Sequence, residues 1–273
     1  MSDVLGYKEK NVVITGAASG MGEAAAQLLV DLGAKVYALD IAEISVPVAA
    51  AIRVDMKDGD SIDKAVAQLP GDIHALFNCA GVPSPPFSAE DTVLINFAGL
   101  RYLTEALIDR MGNGSGIASI ASTAGMGWRP NLALVKEFLA LDNSYGAAIE
   151  WLRGNADKVL DGYGFSKQCI IVYTMQMARE LAQKGIRINC IAPSPTDSGF
   201  MKILKGEGQI PDEAVELFLP SNGQYATGAE MGAPLVMLNS ALASFVSGNN
   251  LPVDFGYCAE VTMAQRDDLL GIA

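Results

Sequence analysis

The sequence predicts a doubly wound α/β fold, an open parallel sheet of about seven strands with helices on both faces. Three observations predict it. Short β-rich runs alternate with longer segments of helical spacing. The runs are continuously apolar, as in strands buried on both faces. The first run also leads straight into a glycine-rich turn that opens a helix.

Strand signals fall at residues 11–15, 35–39, 51–54, 73–78, 116–121, 187–191 and 250–253. Helical spacing occupies 22–32, 61–69, 93–111, 163–184 and 228–239. One stretch breaks the alternation. About forty residues separate Ala121 from Tyr163, too many for a structureless loop in a compact domain. Their apolar residues predict an inserted helical pair over 131–141 and 144–156, with Trp128 beside it and Trp151 within it.

With 273 residues, half of them hydrophobic, the chain suits one large domain spanning 1–273. A net charge of -12 argues against a nucleic-acid surface and against adsorption to anionic membranes. No apolar run approaches the ~20 residues of a membrane-spanning helix, and no leader pattern is visible, so a cytoplasmic location is expected. Cys79, Cys169, Cys190 and Cys258 are scattered without metal-ligand spacing, which suits a reducing compartment. His74 is the one histidine and has no partner motif, so no metal site is expected.

The glycine turn is TGAASGMG, Thr15 to Gly22. Gly16, Gly20 and Gly22 let the backbone turn tightly and approach a pyrophosphate, and the helix that follows offers its free N–H groups to that anion. This is the arrangement of a Rossmann-type dinucleotide site. Asp40 ends the second strand, where a carboxylate accepts hydrogen bonds from ribose hydroxyls and repels a 2′-phosphate. Ile41, Ala42 and Glu43 follow it, and Ala17 and Ala18 leave the glycine loop without a basic residue. NAD is therefore expected over NADP; the alternative is an Asp that caps the next helix.

Tyr163 and Lys167 are four apart in a helical segment and share a face. A phenol with a pKa of ~10 is a poor base at neutral pH. A nearby ammonium is expected to lower that pKa, so that Tyr163 exchanges a proton with an alcohol or carbonyl. Ser122 follows the fifth strand, where open sheets place ligands, and can bond a substrate oxygen. Its alternative role is a turn or helix cap. Ser119 competes but lies inside the strand.

These residues together resemble the short-chain dehydrogenase/reductase family over nearly the whole chain. The TGxxxGxG spacing, NCAG at Asn78 to Gly81, Asn96 in INFAG, Ser122 in SIASTAG, YGFSK at Tyr163 to Lys167, and IAPSP at Ile191 to Pro195 all match its motifs in order. The resemblance implies a catalytic set of Asn96, Ser122, Tyr163 and Lys167, with Asn96 holding a water on Lys167. The alternative for Asn96 is a buried amide bonding backbone groups. It also implies that Tyr163 and Lys167 contact the cofactor, together with Gly16, Ser19, Gly20, Met21, Asp40, Asn78, Ala80, Gly81, Pro193, Thr196 and Ser198. Asp55 and Met56 match the family's adenine contacts; an ordinary turn is their alternative. The 41-residue spacing from Ser122 to Tyr163 resembles the subgroup of 3α-hydroxysteroid dehydrogenase/carbonyl reductases and coniferyl alcohol dehydrogenases. Family members usually form dimers or tetramers, which implies a homo-oligomer.

Two residues depart from the pattern. Ser194 stands for a glycine in IAPGP, and Phe255 for a glycine in the closing DGG. The inserted pair, 126–161 in all, is expected to overhang the substrate. Residues 196–226 match the family's mobile flap. With Met126, Trp128 and Trp151 the flap would form an apolar pocket for an aromatic alcohol, a hydroxysteroid or the matching ketone. Its apolar residues otherwise pack onto the body or a subunit. The competing functional readings are an NADP-linked carbonyl reductase and a non-catalytic dinucleotide-binding redox sensor.

Overall fold

The computed structural model describes residues 3–208 and 210–272. The ends of the expected 1–273 span and Gln209 of the expected flap lie outside them.

Seven strands form one parallel sheet: β1 (Asn11–Thr15), β2 (Lys35–Asp40), β3 (Ala50–Arg53), β4 (Ile73–Asn78), β5 (Met111–Ile120), β6 (Arg187–Pro193) and β7 (Asn250–Val253). Their spatial order is β3-β2-β1-β4-β5-β6-β7. Every pair is parallel, with Val12 beside Val36 on one side and Ala75 on the other. Alternate side chains feed two cores, as the strand period of two requires. Val13, Leu39, Leu76, Ile117 and Ile188 enter one core, while Val12, Ile14, Val36, Ala38, Phe77 and Ile191 enter the other.

The connections are α1 (Gly20–Asp31), α2 (Gly59–Val66), α3 (Ala89–Val93), α4 (Gly99–Leu107), α5 (Leu132–Leu139), α6 (Tyr145–Gly154), α7 (Ala156–Val159), α8 (Tyr163–Gln183), α9 (Gly199–Gly206), α10 (Asp212–Glu216), α11 (Gly228–Asn239) and α12 (Tyr257–Thr262). The strand order reverses between β1 and β4, so a crevice opens where the glycine turn and Cys79 leave the sheet.

The expected helical pair is present as α5 and α6. The expected single helix over 93–111 is not. It is α3, a π-turn at Leu94–Ala98, α4 and a short 3₁₀ turn, and Met111 opens β5 instead. Residues 112–115 read GNGS and carry no strand pattern. They join the sheet because Met111 pairs with Ile73 across a register shift.

His74 meets the Tyr7 ring edge-on at 6.3 Å, and burial lowers its pKa. The four cysteines are free. Among the described residues no helix is long and apolar enough to cross a membrane.

Candidate active site

A cleft of about 780 Å³ lies along the strand ends, within the ~300–1,000 Å³ usual for small-molecule sites. All the expected site residues line it except Asn78 and Asn96.

At one end the backbone shapes the cleft. Gly16 has φ +68°, and a Cβ there would sit 2.6 Å from Ala80 N, so only glycine lets β1 and β4 approach this closely. Thr15, which the motif reading passed over, ties the same ends together: its Oγ1 accepts from Cys79 N (3.1 Å) and Ala80 N (3.2 Å). Ser19 precedes α1 without a side-chain capping bond, so the helix's first N–H groups stay free for an anion. Asp40 accepts from Ala18 N and Ala42 N, both at 2.9 Å, through different oxygens. It therefore holds the turn as a cap does, and each oxygen keeps a second lone pair at the cleft wall. Asp55 accepts from Lys57 N at 2.9 Å. This end fits a dinucleotide: a pyrophosphate cradle at α1, a carboxylate at the β2 end and a second acidic turn beyond β3.

Asn78 is a correction. It is buried away from the cleft, and its amide donates to Thr104 Oγ1 (3.1 Å) and Ser119 Oγ (3.3 Å). As the last residue of β4 it points into the core, while Cys79 and Ala80 turn to the cleft. Ser119 is thereby occupied inside the sheet.

At the middle of the cleft stand Ser122, Tyr163 and Lys167. Ser122 follows β5 and lines the cleft with Tyr163, and its Oγ accepts from Ala124 N at 3.2 Å. Asp161 accepts from Tyr163 N at 3.0 Å and starts α8. Lys167 Nζ lies 5.6 Å from the Tyr163 ring centre and donates to Ile120 O at 2.9 Å.

In the cleft as it stands, burial outweighs the expected lowering of the Tyr163 pKa. Burial pushes Tyr163 up to about 12, opposed by the neighbouring Ser122 hydroxyl and reinforced by the Asp161 charge. Burial also lowers Lys167 to about 8. Desolvation disfavours both charged forms, and one of the three ammonium N–H groups bonds a backbone carbonyl.

Asn96 sits fully buried in the π-turn and is not at the cleft wall. Its Oδ1 accepts from Val82 N (2.7 Å), and its Nδ2 donates to Val82 O (3.0 Å) and Ser166 Oγ (3.3 Å). Ser166 Oγ in turn donates to Tyr163 O at 2.7 Å. The side chain thus takes the backbone-bonding alternative, and it links the cleft floor to the Tyr163 helix.

The other end of the cleft is apolar, lined by Val82, Phe87, Phe200, Met201, Leu204, Val215, Phe218 and Leu270. The Phe200 ring packs 5.5 Å from that of Tyr163. The tail is held in place: Asp268 accepts from Leu270 N (3.2 Å) and Ile272 N (2.9 Å), and Arg266 donates to Leu217 O (3.1 Å).

The expected overhang of the insertion is also corrected. Of residues 126–161 only Asp161 lines the cleft. Trp151 stacks on Phe165 at 5.7 Å and donates to Glu137 at 2.8 Å, Trp128 faces the Arg129 guanidinium, and Met126 accepts from Asn250. The inserted helices pack beside α8 and the π-turn instead. Of the two departures, Ser194 is buried and donates its N–H to Val253 O at 3.2 Å. Phe255 has φ +50° and is exposed, which explains why glycine suits that position.

Comparisons with known proteins identify the family. Residues 10–134 match the family model described as short chain dehydrogenase, and residues 143–258 one described as enoyl-(acyl carrier protein) reductase. A coniferyl-alcohol dehydrogenase from a Pseudomonas species is 31% identical over 90% of this chain and 96% of its own. The 3-alpha-hydroxysteroid dehydrogenase/carbonyl reductase of Comamonas testosteroni is 26% identical over 93% and 98%. The crystal structure of a 3-alpha-hydroxysteroid dehydrogenase from another Pseudomonas, complexed with NADH, superposes with a TM-score of 0.79 at 24% identity, covering 94% of this chain and all of that one. The chain therefore belongs to the short-chain dehydrogenase/reductase family, as an oxidoreductase of CH–OH groups that uses a nicotinamide dinucleotide.

Proposed function

We propose that the protein is an NAD-dependent dehydrogenase of neutral, apolar alcohols, running in reverse as a carbonyl reductase. One domain serves both ligands, with residues 196–226 as the substrate flap. The observation that carries the reading is that Ser122, Tyr163 and Lys167 line one cleft at the junction of a dinucleotide-shaped cradle and an apolar chamber. When bound, the nicotinamide supplies the hydride acceptor or donor.

The chain's own residues do the rest. Gly16, Ser19, Gly20 and Met21 receive the pyrophosphate end, with Ala80, Gly81, Pro193, Thr196 and Ser198 as the facing wall. Asp40 accepts from the adenosine ribose and rejects a 2′-phosphate, and Asp55 and Met56 flank the adenine. Lys167, pinned by Ile120 O, reaches the nicotinamide ribose. Ser122 donates to the substrate oxygen. Tyr163, a phenol at neutral pH, gives its proton to a carbonyl oxygen in reduction and recovers it in oxidation. Oxidation therefore accelerates as pH rises. Asn96 positions Val82 and, through Ser166, the start of α8.

The coniferyl-alcohol and hydroxysteroid relatives support an aromatic or fused-ring substrate, in keeping with the apolar wall. Phe245 and Phe255, exposed on either side of β7 at the sheet edge, support a homo-oligomer built on that edge.

A screen of aromatic, alicyclic and steroid alcohols with NAD and NADP tests the reading. We expect turnover with NAD at least tenfold above NADP. Equal or better rates with NADP contradict the role of Asp40.

A further inference from the structure

We propose that Tyr145, the first residue of α6 in the insertion, positions the adenine end of the cleft, so that the insertion governs cofactor affinity rather than substrate choice. This rests on the reading that Asp55 and Met56 flank the adenine.

The Tyr145 hydroxyl donates to Met56 O at 2.6 Å, across 89 positions of sequence. The same carbonyl presses on α4: a Cβ on Gly99 would overlap it. Helices α4 and α6 therefore hold the Met56 carbonyl from two sides. Tyr145 is itself fixed. Ser144 caps α6 by accepting from Ala147 N at 3.3 Å, and the Tyr145 ring packs 5.9 Å from that of Tyr102, whose hydroxyl donates to Asp63 on α2 at 3.3 Å. Burial, with Asp55 and Asp58 nearby, pushes the Tyr145 phenol above its ordinary range, so it remains a donor throughout the neutral pH range.

The segment being held is short. Asp55 N donates to Ser61 Oγ at 2.9 Å and its carboxylate accepts from Lys57 N. The Met56 side chain is buried at the cleft wall. The Tyr145 hydroxyl is thus the insertion's tie to the acidic turn. Without it the Met56 carbonyl loses a partner, and residues 55–57 can shift in the cleft. The chemistry at Tyr163, on another element, stays in place.

The test uses full-length Tyr145→Phe protein. Dissociation constants are measured for NADH and for AMP, which carries only the adenine half, together with kcat, KM and Tm. We expect both dissociation constants, and KM for NAD, to rise about fivefold, the value of one net hydrogen bond, with kcat and the alcohol KM unchanged. Glu137→Ala removes the Trp151 hydrogen bond elsewhere in the insertion and should leave AMP binding alone. Asp55→Ala reports on the adenine reading itself. If Asp55→Ala weakens AMP while Tyr145→Phe binds like the wild type, this proposal fails and the adenine reading stands. If neither weakens AMP, the adenine reading fails and takes the proposal with it. If Glu137→Ala weakens AMP as much as Tyr145→Phe, or if kcat falls with affinity, the hydroxyl is merely structural and the proposal is overturned.

Discussion

The two ends of the cleft are built by different means. The dinucleotide-shaped end is made of backbone and short polar side chains at strand ends: Gly16, Thr15, the open N-terminus of α1, and Asp40. The apolar end is made of side chains from elements far apart in sequence, with Phe87 before α3, Phe200 and Phe218 in the flap, and Leu270 in the tail. Backbone geometry is shared by any chain with the same turn, whereas a wall of side chains is individual. On the proposed function, the first end sets the class of cofactor and the second the identity of the substrate.

That division can be broken at the junction, where the largest effect is expected. On the proposed function, Ser122→Ala removes a donor to the substrate oxygen and the hydroxyl beside Tyr163 that counters its raised pKa. Steady-state kinetics should show kcat lower by about 10²–10³-fold with NADH affinity unchanged. A loss confined to NADH affinity would mean the serine belongs to the cofactor end.

Lys167 gives the next effect, on stability. Its pKa falls from 10.5 unfolded to about 8 folded. Below about pH 8 both states hold the proton and the fold bears the full cost of a buried ammonium. Between pH 8 and 10.5 the unfolded state binds more protons, so stability rises with pH and the cost vanishes. Lys167→Met should abolish activity yet gain at most about 3 kcal/mol at pH 7, reduced by the Ile120 carbonyl left without its donor. The gain should fade toward pH 10.5. Urea unfolding at the two pH values checks it, and a Met variant less stable at pH 7 would show that the Ile120 bond outweighs desolvation.

The smallest effect sharpens the substrate end. Leu270→Ala should raise kcat/KM for a bulky alcohol relative to a small one by about three- to tenfold without altering NADH binding. Leu269→Ala, at an exposed neighbour, should leave the ratio unchanged. A change in NADH affinity from Leu270→Ala would join the two ends that the structure separates.

The same division explains what could be read in the sequence. The seven strands, the inserted pair and the cleft residues of the glycine turn were legible because each is a local pattern: an apolar run, a helical period, a turn that needs glycine. Asn78 and Asn96 stand off the cleft wall for one reason. A motif names a residue but not the face its side chain takes, and Asn78 ends β4 pointing inward while the π-turn directs Asn96 to Val82. The insertion was legible as helix but not as to where it packs, since Phe138, Trp151 and Phe165 meet only after α8 folds back. Leu270 left no signal, because a tail leucine looks like any other until Asp268 and Ile272 fasten it. The Tyr163–Lys167 spacing puts both residues of α8 at the cleft, but their electrostatics depend on burial, which no spacing supplies.

The central claim is that the Tyr163 hydroxyl moves the substrate's proton at the meeting point of the two ends. The most direct measurement is single-turnover NADH formation by Tyr163→Phe at saturating NAD and alcohol, beside its NADH dissociation constant. The account predicts a rate lower by about 10³-fold with the dissociation constant within twofold of wild type. Undiminished turnover with normal NADH binding would contradict it.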